Sequence, residues 1–154
     1  MNVLVSTYSI FGHTKLLGQT IADAIAEYLD DSGHAIAISM HDNVVSTLAD
    51  MDLVIKGSLT HNMELPREVG AVLDALPKRW CRGVRITVFD TPYRMNALLM
   101  RFTAARKLDR KLRKLGGKRV IPPETFYVVE GESPREEGEV QWAQARTAQI
   151  RSKR

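Results

Sequence analysis

Short apolar segments alternate with longer amphipathic ones along this 154-residue chain, and that alternation restricts its fold more than any other feature of the sequence. The opening run Asn2–Thr7 is apolar and rich in β-branched residues, which is typical of a buried parallel strand. Between His13 and Leu29, apolar residues recur three or four positions apart, as on the buried face of a helix. Strands and helices that alternate in this way favour an α/β fold with a parallel sheet.

The same patterns predict the remaining elements. Further strands are expected over residues 35–38, 51–57, 83–89 and 126–129. Further helices are expected over residues 66–76, 96–115 and 136–150. We therefore expect a single domain over residues 1–150, an α/β/α sandwich in three layers on a five-stranded parallel sheet, followed by a frayed basic tail at 151–154.

The composition excludes several classes of protein. With a single cysteine, Cys81, one chain cannot form an internal disulfide or a cysteine metal cluster, which favours a reducing, cytoplasmic compartment. The histidines lack the spacing of a helical metal pair, and we predict neither a metal site nor a catalytic nucleophile. No apolar run is long enough to span a bilayer, and no positively charged segment precedes the apolar stretch at the N-terminus, so we expect no membrane span and no secretion signal.

The loop after the first strand has the composition of a phosphate-binding loop. In parallel α/β sheets, ligands bind beyond the carboxyl ends of the strands. This loop combines hydroxyls and a glycine with the unpaired N–H groups of a helix N-terminus, a combination that can cradle a phosphate. It lacks the Walker motif and the companion glycines of a dinucleotide fingerprint. The candidate residues are Ser9, Ile10, Phe11, Gly12, His13 and Thr14.

The spacing of this loop resembles that of a known family. Ser9, Gly12 and Thr14 stand at the positions of the hydroxyl-x-x-Gly-x-Thr pattern of the flavodoxin-like family, whose phosphate loop wraps the phosphate of FMN with backbone amides and hydroxyls. The resemblance implies a noncovalently bound FMN and the sheet order 2-1-3-4-5. The alternative is that Ser9 or Thr14 only caps the helix and that Gly12 only turns the chain.

The loop after the third strand extends the resemblance. From Gly57 onward it is similar to the Gly-Ser-Pro-Thr-aromatic segment of the family, which passes along the isoalloxazine ring. Leu59 stands where proline is common, and His61 stands where a tyrosine or tryptophan often stacks on the ring. An ordinary surface histidine is the alternative for His61. The residues that the resemblance implies in FMN binding are Ser58, Leu59, Thr60, His61 and Asn62.

The loop after the fourth strand departs furthest from electron-transfer flavodoxins, because their glycine-rich loop is replaced here by another sequence. The resemblance implies that Tyr93 can stack on the flavin and that Arg94 can favour an anionic reduced flavin. Ordinary packing and solvation are the alternative for these side chains. The residues implied to border the flavin are Asp90, Thr91, Pro92, Tyr93 and Arg94.

Positive charge is concentrated in the C-terminal third of the chain. Residues 101–154 carry 14 basic and 7 acidic side chains, whereas residues 1–100 carry 8 basic and 11 acidic ones, for a net charge of +4. Most of these cations belong to the basic helix segment 101–119. This segment is either a solvated helix surface or a docking surface for an acidic redox partner or another anion. A nucleic acid is disfavoured, since no aromatic residues are interleaved with the charges.

Nearly the whole chain resembles small stand-alone flavodoxin-domain proteins of microbes. The first hypothesis is an FMN-binding electron-transfer protein, a monomer or weak dimer that meets redox partner proteins. The second is a small FMN-dependent NAD(P)H:quinone-type reductase, which the short chain disfavours because it has no insertion to form a substrate lid. The third is a flavodoxin-fold interaction module that does not retain flavin. It is favoured by the altered loop after the fourth strand and by the lack of the acidic surface that electron-transfer flavodoxins usually have.

Overall fold

The computed structural model describes most of the chain. It covers residues 1–9, 12–29, 33–39, 48, 50–60, 64–91, 104–126 and 145. Its strands are β1 (Asn2–Tyr8), β2 (His34–Ser39), β3 (Leu53–Leu59), β4 (Arg85–Thr91), β5 (Lys118–Arg119) and β6 (Glu124–Thr125). Its helices are α1 (His13–Ala26), α2 (Arg67–Asp74) and α3 (Ala104–Lys114).

Every element predicted before residue 115 overlaps an observed one. Residues 96–103 of the long predicted helix lie outside the described residues, as does the helix expected over 136–150 apart from Ala145, which is helical. The helices α1, α2 and α3 have 14, 8 and 11 residues. Since a bilayer requires about 20 apolar residues, none of the helices in the described ranges is long and apolar enough to cross a membrane.

The strands form one parallel sheet in the order β2-β1-β3-β4-β5, with β6 also paired with β4. β3 lies at the centre and pairs with β4 along its whole length, from Leu53 opposite Arg85 to Leu59 opposite Thr91. Because β3 occupies one side of β4, both β5 and β6 lie on the other side. The sheet therefore has the order that the resemblance implies, with five strand positions.

The two short strands beside β4, at the fifth strand position of the sheet, begin earlier in the sequence than the strand predicted there. The apolar run predicts a strand over 126–129, but the edge beside β4 is formed by β5 and β6, which precede that run. Residues 127–129 lie outside the described residues. Pro122 and Pro123 lie between the two short strands, and proline has no N–H to donate to a sheet ladder, so the pairing is interrupted there. Because β5 and β6 consist of polar residues, the pattern of apolar residues does not predict them.

Helices cover both faces of the sheet. Successive residues of a strand point to opposite faces, and the buried apolar side chains accordingly form two clusters. One cluster joins the sheet to α1 and includes Val3, Val5, Leu17 and Ile21. The other joins the sheet to α2 and α3 and includes Leu4, Val54, Leu73 and Leu108. The described elements thus form the expected α/β/α sandwich.

Gly57 of β3 allows an aromatic ring to cover the sheet near its carboxyl end. Phe89 of β4 lies opposite Gly57 in register and is fully buried. A Cβ atom at Gly57 would overlap the Phe89 ring. The ring also meets Phe126 edge-on, with centroids 6.0 Å apart and an interplanar angle of 76°. The absence of a side chain at Gly57 is therefore a packing requirement.

We expect Gly57→Ala to lower the free energy of unfolding by about 2 kcal/mol, because the added methyl group displaces the Phe89 ring from a packed core. Urea unfolding followed by circular dichroism measures the change. Gly70→Ala in α2 is the matched control, since a Cβ at Gly70 meets no atom within 4 Å and alanine is the better helix former. Equal destabilisation by the two substitutions would contradict the packing argument.

Candidate functional site

The carboxyl ends of β1, β3 and β4 lie side by side at one edge of the sheet. In register, Tyr8 lies opposite Ser58, and Ser58 lies opposite Asp90. The three loops in which the sequence predicts ligand-binding residues therefore begin at the same edge. We call this region the carboxyl edge, and its described members are Ser9, Gly12, His13, Thr14, Ser58, Leu59, Thr60, Asp90 and Thr91.

The N-terminus of α1 lies at the carboxyl edge, and its N-cap residue is Gly12, which has no side chain to cap the helix. Gly12 precedes the helix with φ 88° and ψ −13°, a left-handed conformation that glycine adopts at little cost. The Gly12 N–H donates to Ser9 Oγ at 2.9 Å, which closes the turn after β1. No acidic residue lies in the first turn of α1. Since the first N–H groups of a helix have no acceptor within it, this terminus can bind an anion such as phosphate.

A buried hydroxyl pair joins the loop after β1 to the end of β4. Thr14 Oγ1 and Thr91 Oγ1 are 2.6 Å apart, and both residues are buried. Although these residues are 77 positions apart in the sequence, the pair holds the first turn of α1 against the last residue of β4. Candidate residues of the loop after β1 and of the end of β4 are thus in direct contact.

Asp90 is fully buried and binds protein donors from three other segments. Its Oδ2 accepts hydrogen bonds from Thr60 Oγ1 at 2.8 Å and from the Ala105 N–H at 3.0 Å. Its Oδ1 accepts one from Thr125 Oγ1 at 2.7 Å. Thr60 Oγ1 also accepts the Ala104 N–H at 3.0 Å. Asp90 and Thr60 therefore cap the N-terminus of α3 as it is described, while joining it to β3 and β6.

The loop after β3 begins in a buried conformation. Ser58 is fully buried, and its Oγ donates to the Leu59 carbonyl at 2.9 Å. Leu59 and Thr60 each retain only 8% exposure, so this stretch presents a narrow surface at the edge. The other predicted site residues lie outside the described residues, namely Ile10, Phe11, His61, Asn62, Pro92, Tyr93 and Arg94.

A buried lysine lies two residues before Ser58, and the sequence analysis assigned it no role. Lys56 of β3 is 1% exposed, with its Nζ 3.2 Å from Ser6 Oγ and 5.5 Å from the centre of the Trp80 ring. Burial lowers the pKa of Lys56 to about 8, against a smaller opposing effect of Cys81. Burial also raises the pKa of the Cys81 thiol to about 11, although the Lys56 charge opposes this shift. Only the interruption of the apolar run by a lysine hinted at this feature.

Solved flavodoxin structures match nearly the full length of the chain. An archaeal flavodoxin matches with a TM-score of 0.77 and 16% identity, over 99% of this chain and 98% of that one. Flavodoxin 2 from Bacillus cereus matches with a TM-score of 0.76 and 18% identity, over 100% of both chains. No protein-family model and no curated protein matches the sequence. The structural similarity establishes that the chain has a flavodoxin-like fold.

The same fold also matches part of a larger protein. Rubredoxin:oxygen oxidoreductase from Desulfovibrio gigas matches with a TM-score of 0.73 and 16% identity, over 97% of this chain and 35% of that one. The chain therefore has the extent of the flavodoxins and about a third of the extent of this oxidoreductase.

We expect Asp90→Asn to lower the free energy of unfolding by about 3 kcal/mol. The carboxylate accepts donors on both oxygens, whereas an amide turns one of them into a donor and removes the charge that strengthens the remaining bonds. Urea unfolding measures the loss. Asp74→Asn is the matched control, since its carboxylate is 69% exposed and pairs only with Lys111 in the described part of the chain. A similarly small loss for both variants would refute the role given to Asp90.

The Lys56 pKa predicts a pH-dependent stability. The unfolded lysine titrates near its ordinary pKa of 10.5 and the folded one near 8, so the unfolded state binds more protons between these values. Stability should therefore rise with pH across this window, by about 3 kcal/mol when integrated over the shift. Cys81 acts oppositely between its ordinary pKa of 9.0 and about 11, because its raised pKa makes the folded state bind more protons.

The measurement is the free energy of unfolding from pH 7 to 10.5 for the wild-type protein, Lys56→Met and Cys81→Ala. Relative to Lys56→Met, the wild-type protein should gain stability from about pH 8 up to pH 10.5, because Cys81 is present in both proteins and its effect cancels. Relative to wild type, Cys81→Ala should gain stability above about pH 9, where the raised pKa of the thiol costs the wild-type protein stability. Parallel curves for wild type and Lys56→Met would show that Lys56 does not titrate in this window.

Proposed function

We propose that this protein binds FMN at the carboxyl edge and transfers electrons through it. The observation that carries the proposal is the N-terminus of α1 at the carboxyl edge, preceded by left-handed Gly12, in a chain with a flavodoxin-like fold. FMN, when bound, supplies one- and two-electron redox chemistry that protein side chains lack. The protein contributes the binding, the orientation and the electrostatic surroundings of the flavin.

The loop after β1 fits the phosphate of FMN. The N–H groups of the first turn, including those of His13 and Thr14, would donate to the phosphate oxygens, and the helix dipole favours the negative charge. Apart from its chain neighbours, no atom of the described residues lies within 4 Å of the place where a Cβ of Gly12 would stand, which leaves room beside the backbone. Since no acidic side chain lies in the first turn, nothing there repels a phosphate. Ser9 supports this arrangement by holding the Gly12 N–H.

The segments after β3 and β4 would border the ring. Ser58, Leu59 and Thr60 would present their backbone to its polar edge, with Thr60 anchored through its hydroxyl to Asp90. Thr91 is tied to Thr14, so the end of β4 keeps a constant position relative to the phosphate loop. Asp90 acts as a positioning residue, because its carboxylate is buried and accepts donors from the protein. The resemblance adds His61, Asn62, Pro92, Tyr93 and Arg94 to the proposed flavin site.

Electron transfer, with partner proteins as donor and acceptor, is the function that the match to solved flavodoxins supports best. These structures match 99–100% of this chain and are matched over 98–100% of their own lengths. A quinone reductase needs a pocket over the flavin for nicotinamide and quinone. Steady-state oxidation of NADPH in the presence of a quinone separates the two activities. Turnover well above that of free FMN would assign a reductase instead.

The proposal predicts saturable quenching of FMN fluorescence by the purified protein and a two-band flavin spectrum. Gly12→Asp should weaken binding by about tenfold or more, because it places a carboxylate beside the phosphate. Gly12→Asn is the matched control, since asparagine has nearly the same shape, tolerates left-handed backbone and carries no charge. We expect the asparagine variant to bind FMN within a few-fold of wild type.

Two outcomes would count against the proposal. If wild-type protein leaves FMN fluorescence unchanged, the chain does not hold this cofactor, and a flavodoxin-fold interaction module becomes the better interpretation. If the aspartate and asparagine variants bind FMN equally well, the phosphate does not lie at the N-terminus of α1. Circular dichroism of both variants verifies that each is folded before the titration.

A further inference from the structure

The positive charges of α3 divide between two sides of the helix. On one side, Lys107 Nζ lies 3.2 Å from Glu64 Oε1, and Lys111 Nζ lies 2.7 Å from Asp74 Oδ1. These lysines are therefore neutralised by acidic residues before and within α2. The arginines of α3 lie elsewhere, beside the segment that contains β5 and β6. Two of the three lysines of α3 are thus paired, whereas its three arginines line one cleft.

The arginines line a cleft of about 430 Å³ between α3 and the β5–β6 segment. Its size is within the range of small-molecule sites in proteins. Pro122, Pro123 and Thr125 line the wall opposite α3. The lining residues include four arginines and one aspartate, which makes the cleft strongly positive. We call it the arginine cleft, defined by Arg106, Arg110, Arg113, Arg119 and Asp109.

Asp109 holds two of these arginines in place. Its side chain is 3% exposed, and its Oδ2 accepts from Arg113 Nε at 3.0 Å and from Arg119 Nη1 at 3.2 Å. These two guanidinium groups come from opposite walls, and each retains further N–H donors. Within the described ranges, no hydrogen bond or ion pair engages Arg106 or Arg110. Two arginines are therefore pre-positioned, and two have no acidic partner among the described residues.

We propose that the arginine cleft binds a small molecule that carries several phosphate groups. Guanidinium groups match phosphate oxygens through paired N–H donors, which favours arginine over lysine for this task. Arg106 and Arg113 are seven residues apart on α3, which corresponds to about 10 Å along the helix axis. A single phosphate engages part of that length, whereas a chain of phosphates engages it all. The concave shape favours a compact ligand over the flatter surface of an acidic protein.

This site is separate from the proposed flavin site and does not rest on it. Ala105 and Thr125 line the cleft and also donate to Asp90, so the cleft begins beside the carboxyl edge. The phosphate loop after β1 lies across β4 from the cleft, at Gly12 and Thr14. The two sites also differ in chemistry, since one offers backbone N–H groups and the other offers guanidinium groups.

The test is calorimetric titration of the full chain at 150 mM NaCl, in the presence of FMN in excess, with three probes. The probes are inorganic orthophosphate, inorganic tripolyphosphate and ATP without a metal. We expect tripolyphosphate to bind about tenfold or more tightly than orthophosphate, because it reaches more guanidinium groups. Tighter binding of ATP than of tripolyphosphate identifies a nucleotide as the source of the phosphates, and equal binding identifies the phosphate chain alone.

Two double variants remove equal charge from the same helix. Arg106→Ala with Arg110→Ala should weaken tripolyphosphate binding by about tenfold or more, whereas Lys107→Ala with Lys111→Ala should change it by no more than a few-fold. Arg106 and Arg110 are exposed, so the fold should survive, which thermal unfolding verifies. If the arginine double variant unfolds, Arg110→Gln against Lys111→Gln makes the same comparison.

Three results would overturn the proposal. Equal weakening by the arginine and lysine variants would show general attraction to a basic helix. Loss of tripolyphosphate binding when FMN is added would place the anion at the loop after β1. Tighter binding of a poly-glutamate peptide than of tripolyphosphate would assign the cleft to an acidic protein partner. The comparisons between variants and between probes do not require FMN to bind, so this proposal and the flavin proposal fail independently.

Discussion

The carboxylate of Asp90 is the interaction on which the functional end of this molecule depends. It lies without solvent exposure at the end of β4 and gathers donors from Thr60, Ala105 and Thr125. Hydrogen bonds to a charged acceptor in a low-dielectric interior are strong, and a buried donor or acceptor left without a hydrogen bond lowers the stability of the fold. The same carboxylate therefore fixes the positions of the start of the loop after β3, the described start of α3, and β6. Because Thr60 lies at the carboxyl edge and Ala105 and Thr125 line the arginine cleft, Asp90 helps to shape both regions.

The two proposed anion sites differ in physical origin. At the N-terminus of α1, partial charges of backbone N–H groups act over one helical turn and need a close, well-oriented phosphate. In the arginine cleft, full charges act over a longer range and are screened by salt. Asp109 reduces the net charge of the cleft but gives two of its guanidinium groups a constant direction. The first site therefore suits a buried, specific group, and the second suits a more exposed polyanion.

Much of the fold follows from local patterns, but the short strands β5 and β6 do not. The period of apolar residues predicts β1 to β4 and the helices between them, because each pattern spans one element. The fifth position is occupied by β5 and β6, whose residues are polar and whose pairing is decided by the open side of β4. The candidate loops after β1, β3 and β4 were predictable for a similar reason, since parallel strands bring their carboxyl ends to one edge. The roles of Asp90 and Lys56 were not, because their partners are 15 to 50 positions away in the sequence.

The sequence by itself determined the alternation of strands and helices, the parallel sheet, and the glycine and hydroxyl residues of the loop after β1. These properties depend on neighbouring residues and on the two periodicities of secondary structure. Only the tertiary structure decided which charges are neutralised. Two of the three lysines of α3 meet Glu64 and Asp74 from a different part of the chain, while its arginines line a cleft. The physical reason is that burial and charge pairing depend on which surfaces meet in space. A run of basic residues does not indicate which of its charges will meet acidic partners from elsewhere in the chain.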